Sequence, residues 1–196
     1  NEEVLNMAED AGIAVIMPEV QRGFYTDMAY GPAYFTYITE ELPRLCASLF
    51  RVTEDPARTY IAGLSMGGYG ALKAALRCPE RYAAAGCFSG AVDIRARMKA
   101  EDFLMTPGEI QAISGGELAP EDDILMLTAR AVNTGRKLPA LYLTCGLSDY
   151  LYEDNRRLRR QLDFLHIPYV YEEWAGAHEW DFWDRSVRQF LQFIRE

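Results

Sequence analysis

The residues best suited to chemistry lie in Ala62-Gly63-Leu64-Ser65-Met66-Gly67-Gly68-Tyr69-Gly70-Ala71, which contains Gly-x-Ser-x-Gly. Before it runs Thr59-Tyr60-Ile61-Ala62, apolar and of strand character. After it runs Ala71-Leu72-Lys73-Ala74-Ala75-Leu76-Arg77, helix-forming and amphipathic. A serine on a strand-to-helix turn adopts a strained backbone, and the turn closes only if its neighbours are small. Gly63 and Gly67 supply that space and leave the Ser65 hydroxyl standing above the sheet edge. The first amides of the helix point to the same place. The Met66 backbone N–H is the candidate donor to an oxyanion there.

A hydroxyl is a weak nucleophile at neutral pH and needs a base. The chain has two histidines. His166 falls at the end of a helix, where an imidazole suits the dipole. His178 follows Ala175-Gly176-Ala177 in a loop just before a helix, so it is the candidate base. A base of this kind needs a carboxylate to fix its tautomer and stabilise the imidazolium. Asp149 is the candidate, because it follows a strand across the turn Gly146-Leu147-Ser148. Asp154, inside the next helix, is its rival. Asp181 and Asp184 follow His178 too closely and sit on the last helix.

Positioning these groups requires alternating strands and helices. Ile13-Ala14-Val15-Ile16-Met17 is a continuous apolar run stopped by Pro18, the pattern of a strand buried on both faces. Further strands are expected before the elbow, at 82–88, at 138–145 and at 169–174. Helices are expected at 2–11, at 34–50 with Pro43 bending or restarting it, after the elbow, at 150–165 and at 179–194. Residues 91–137 lose this alternation and read as an insertion over the sheet edge, with short helices at best. The expected class is α/β, a mostly parallel sheet with helices on both faces. Ligands of such sheets bind beyond the carboxyl ends of the strands, where Ser65, Asp149 and His178 are delivered in that order.

The totals bound the rest. One domain of 196 residues with 49% apolar residues buries a substantial core, and a net charge of -9 argues against nucleic acid and anionic membranes as partners. Cys46, Cys78, Cys87 and Cys145 lie singly, without metal-ligand spacing; Cys87 and Cys145 fall in expected strands. That usage favours a reducing, cytoplasmic compartment. No phosphate loop, cofactor motif or metal cluster is present, so the reading calls for no cofactor and no metal. Tyr25, Asp27 and Tyr30, in a Gly- and Tyr-rich loop, are candidates to line a substrate site. Trp180 and Trp183 read as core.

Together, Gly63–Ala71, Cys145-Gly146-Leu147-Ser148-Asp149-Tyr150-Leu151-Tyr152 and Gly176-Ala177-His178-Glu179-Trp180 with Trp183 resemble the esterase D-like family of α/β-hydrolases. That family includes S-formylglutathione hydrolases, tributyrin and acetyl esterases, feruloyl esterases and mycolyltransferases. Val15–Pro18, Phe24–Asp27 and residues 34–42 look most like the tributyrin and acetyl esterase branch. The resemblance implies that Ser65, Asp149 and His178 are nucleophile, acid and base. It implies a serine carboxylesterase acting on small short-chain acyl esters, with 91–137 as a cap-like insertion. An acyltransferase with the same triad, or a catalytically silent binding domain, is the alternative, and a homo-oligomer is left open. The family also carries upstream strands, one of them between the elbow strand and 13–17, and a His-Gly loop that donates a second oxyanion bond. Nothing here matches that loop, so these residues are expected to lack their N-terminal strands.

Overall fold

The computed structural model describes residues 2–100 and 105–195. Helix α1 (Glu2–Asp10) opens the chain and packs on the last helix. A long loop leads to α2 (Tyr34–Thr36), a π-helical turn Tyr37–Glu41, and α3 (Leu42–Leu49), which form one continuous helical stretch. Pro43 explains the π turn: it has no N–H for the Thr39 carbonyl, which accepts from the Arg81 guanidinium instead.

The sheet begins with β1 (Tyr60–Leu64), followed by α4 (Met66–Arg77) and β2 (Ala84–Phe88). Helices α5 (Ile94–Ala100), α6 (Pro107–Ser114) and α7 (Ile124–Asn133) lead to β3 (Ala140–Gly146). Then come α8 (Tyr152–Phe164), β4 (Val170–Trp174) and α9 (Trp180–Phe193). The four strands are parallel in the order β1-β2-β3-β4. Parallel pairing requires crossovers, and each one brings a helix onto a face.

Period-2 alternation sorts the side chains. Ala85 and Cys87 of β2, with Leu141 and Leu143 of β3, meet Leu72 and Leu76 of α4, Leu127 of α7 and Leu158 and Leu162 of α8. Ala84, Phe88 and Tyr142 meet Phe182, Trp183 and Phe190 of α9 on the other face. So the expected two-faced parallel sheet is present. Part of the stretch read as an insertion is the β2-to-β3 crossover itself, because α7 lies in the helix layer against α4 and α8. Residues 101–104 of that stretch lie outside the described residues.

One expected strand is absent. Residues 13–17 form no ladder, and Val15, Ile16 and Met17 are 47%, 45% and 83% exposed. Apolarity makes a segment fit to be a strand, but a neighbour must take up its N–H and C=O groups, and among the described residues none does. Trp180 also departs from expectation: it is 69% exposed, while Trp183 is buried.

Candidate active site

Two close backbone approaches build the site. At the elbow, a Cβ on Gly63 would lie 2.4 Å from the Gly67 carbonyl carbon and oxygen, so only glycine lets the strand meet the helix. Ser65 between them has φ 54° and ψ −117°, outside the usual regions for an L residue. Its N–H donates to the Phe88 carbonyl at 2.9 Å, and its carbonyl accepts from Ala91 N–H at 3.0 Å. The neighbouring strand end thereby holds the strained turn. The second approach joins the two later loops. A Cβ on Gly146 would lie 2.4 Å from the Gly176 oxygen, while Leu147 N–H and Ser148 N–H donate to Trp174 O and Gly176 O. The loops carrying Asp149 and His178 are laced together before either side chain is considered.

Their side chains then meet Ser65. His178 Nε2 lies 2.8 Å from Ser65 Oγ, and His178 Nδ1 lies 2.9 Å from Asp149 Oδ2 and 3.1 Å from Oδ1. Asp149 Oδ1 also accepts the Leu151 N–H at 2.8 Å. Burial pushes the Asp149 carboxyl up. Its bonds to His178 and Leu151 N–H, helped by the nearby Ser89 hydroxyl dipole, outweigh that, and the net displacement is downward. The carboxylate is thus held ionised beside the imidazole. Asp154 is elsewhere: Arg97 grips both its oxygens at 2.7 Å. His166 sits past the end of α8 with φ 54°. Met66 opens α4, where the first N–H groups have no partner inside the helix.

The three loop candidates separate. Tyr25 is half-buried against the first turns of α4. Its hydroxyl is 3.5 Å from where a Gly67 Cβ would stand, and its ring fills the space left by Gly70. Both Asp27 oxygens are taken by Thr36, from its N–H and its hydroxyl at 2.8 Å each. The Tyr30 ring is 70% exposed, and its N–H donates to Ala112 O. Only Tyr25 comes against the helix that Ser65 begins.

This arrangement has relatives. The family model described as a putative esterase matches residues 10–194. The chain belongs to this esterase family. An acetyl esterase of Caldicellulosiruptor saccharolyticus is 27% identical over 203 residues, spanning 97% of this chain and 75% of the relative. S-formylglutathione hydrolase of Mus musculus is 42% identical over 72 residues, 34% of this chain and 25% of that protein. Among solved structures, the fluorophosphonate-binding serine hydrolase FphF of Staphylococcus aureus matches with a TM-score of 0.91. It is 30% identical, and the match covers 99% of this chain and 76% of that one. A ferulic acid esterase with 23% identity and a TM-score of 0.71 shares the fold. The enzyme class is that of the serine carboxylic ester hydrolases.

Sequence reasoning missed the surroundings of the esterase's imidazole. The Tyr150 ring lies 4.4 Å from that of His178, and the Trp183 ring meets it edge-on at 4.8 Å. Trp180 stands one ring further out, 5.4 Å from Trp183. Adjacency was the available signal, since Tyr150 follows Asp149 and Trp183 lies just over one helical turn beyond His178. Ser89, buried at the end of β2, was missed as well, and only its place beside two strand ends could have flagged it.

Proposed function

We propose that the protein hydrolyses short-chain acyl esters through an acyl-enzyme on Ser65. The observation that carries this reading is the hydrogen-bonded chain from Ser65 Oγ through His178 to Asp149. Ser65 Oγ attacks the ester carbonyl as His178 Nε2 takes its proton, and the oxyanion forms against the Met66 N–H. Asp149 holds the Nδ1–H tautomer and stabilises the imidazolium. His178 then protonates the departing alcohol, and the same base activates the water that releases the acid.

The leaving alcohol must lie beside His178, because its proton comes from there. That side carries the exposed aromatic rings of Tyr150 and Trp180, and the chain neighbours of His178 and Trp180 include Glu179 and Asp181. Such a surface favours an uncharged, apolar alcohol over an anionic one.

A panel of p-nitrophenyl esters of increasing acyl length tests the reading. Turnover is expected to be greatest at acetate to butyrate, with stoichiometric fluorophosphonate labelling of Ser65. A protein that neither turns over any ester nor takes the label is not an esterase of this kind.

A further inference from the structure

A second strained serine lies beside the first. Ser89, the residue after β2, has φ 47°, in the left-handed region that a serine seldom adopts. Its side chain is fully buried, and among the described residues its hydroxyl has no partner at bonding distance and angle. Strain and an orphaned buried hydroxyl are both unfavourable, and here they coincide in one residue.

The backbone does not require either. The bend is secured by main-chain bonds: Ser65 N–H to Phe88 O, Ser89 N–H to Thr144 O at 2.8 Å, and Ala91 N–H to Ser65 O. Asn155 adds a bond to Gly90 O at 3.0 Å. A glycine would keep the main-chain bonds and adopt the same φ without strain. What glycine would lack is the hydroxyl, which makes the hydroxyl the feature to explain.

The same bonds fix where the residue that carries the hydroxyl lies. Residues 88–91 bridge the nucleophile's backbone and the end of β3, so Ser89 sits between Ser65 and the loop carrying Asp149. The ionisable groups this placement brings near the hydroxyl are the Asp149 carboxyl and the Cys145 thiol, and on each its dipole works against the upward push of burial. Of the two, the thiol is buried and neutral, a weak acceptor. The carboxylate is charged, and among the described residues His178 is the one donor at Oδ2, whereas Oδ1 also has Leu151 N–H. A carboxylate oxygen accommodates a second donor. Hydrogen bonds of working groups are often long or misaligned in the free enzyme and tighten during the reaction.

We propose that Ser89 is a positioning residue for the acid of this esterase, its hydroxyl donating to the Asp149 carboxylate as the imidazole takes the Ser65 proton. The hydroxyl keeps its own proton throughout and fixes the carboxylate's orientation while charge develops on His178. This inference rests on the reading of Asp149 as the acid.

The test compares Ser89→Gly and Ser89→Ala with p-nitrophenyl acetate as substrate, in the wild type and on an Asp149→Ala background. Both substitutions remove the hydroxyl, and only glycine relieves the backbone. The expected result is about a tenfold fall in kcat for both variants, the size of one charge-assisted hydrogen bond, with KM within twofold. On the Asp149→Ala background, Ser89→Gly should change the rate of fluorophosphonate labelling by less than twofold, because the group it orients is gone. Unchanged kcat in Ser89→Gly overturns the proposal. So does a loss confined to one of the two variants, or the same tenfold loss persisting without Asp149. If the wild type itself neither turns over esters nor takes the label, the esterase reading fails and this inference falls with it. An active wild type with an indifferent Ser89→Gly sinks the inference alone.

Discussion

Helix α4 carries two chains of polar groups, one at its N-terminus and one along its flank. At the N-terminus, Ser65, His178 and Asp149 form a line that opens onto a surface where Tyr150 is 42% exposed. Along the flank, the fully buried Lys73 donates to Asp122 at 3.0 Å and to Thr26 at 2.9 Å. There Tyr69 donates its hydroxyl to the Asp122 carbonyl, and the Lys73 ammonium sits over the Phe35 and Tyr69 rings. Burial drives the Lys73 pKa down to about 8 against the pull of Asp122, a shift of the size found at active sites. Yet nothing can reach it. A perturbed group counts as a candidate for chemistry only when a substrate atom can approach, and the flank chain instead ties the N-terminal loop and the crossover to α4.

If that distinction is right, substitutions at the N-terminus and along the flank of α4 separate activity from stability. Ser65→Ala is expected to lower kcat by about 10⁶, the scale of losing a triad nucleophile, with the melting temperature within a few degrees of wild type. Residual turnover near the wild-type rate would remove Ser65 from the chemistry. Asp149→Asn should cost about 10⁴ in kcat. Asp154→Asn, which only loosens the grip of Arg97, should keep kcat within threefold and lower the melting temperature instead; the reverse ranking would exchange the two acids.

Lys73→Met should show the opposite signature, a loss of roughly 3 kcal/mol in stability from breaking a buried pair, with kcat of the folded protein within threefold. Its pH dependence sharpens the contrast. Folded Lys73 releases its proton near 8, while in the unfolded chain it stays protonated up to about 10.5. Between those values the unfolded state binds more protons, so this group's contribution to stability rises with pH; below about 8 the full penalty of the buried charge applies. Denaturant titrations of wild type and variant at pH 7 and pH 10 should therefore show the gap widening by at most roughly 3 kcal/mol. A constant gap would mean that Lys73 titrates normally. The smallest effect is expected away from both chains. Thr106 and Glu109 form a capping box on α6, and Thr106→Ala should cost about 1 kcal/mol with no change in kcat.

The site was more legible than its supports. Gly63, Ser65 and Gly67 could be read directly because the chemistry of a strand-to-helix turn is local: the spacing that lets the turn close is the spacing in the sequence. His178 followed from scarcity and from its loop, and Asp149 from its place after a strand. Separating Asp154 from Asp149 needed the structure, because the partner that holds Asp154, Arg97, lies 57 residues away in the chain. Trp180 and Trp183 read alike as apolar residues of α9, but only one faces the sheet.

Two apolar runs mark the boundary most clearly. Residues 84–88 and 13–17 look equally like strands, and only the first is one. Ala84–Phe88 lies between β1 and β3, which take up its N–H and C=O groups on both sides. Residues 13–17 have no such neighbour among the described residues. The sequence by itself determined the strand-to-helix turn around Ser65, the loops that carry Asp149 and His178, and the α/β alternation, since each is set by a few adjacent residues. Tertiary structure alone decided which carboxylate faces the imidazole, which serine is buried where β2 ends, and which apolar run becomes a strand. Those outcomes depend on partners distant in the chain, and backbone hydrogen bonds and buried charges are satisfied only once such partners have met.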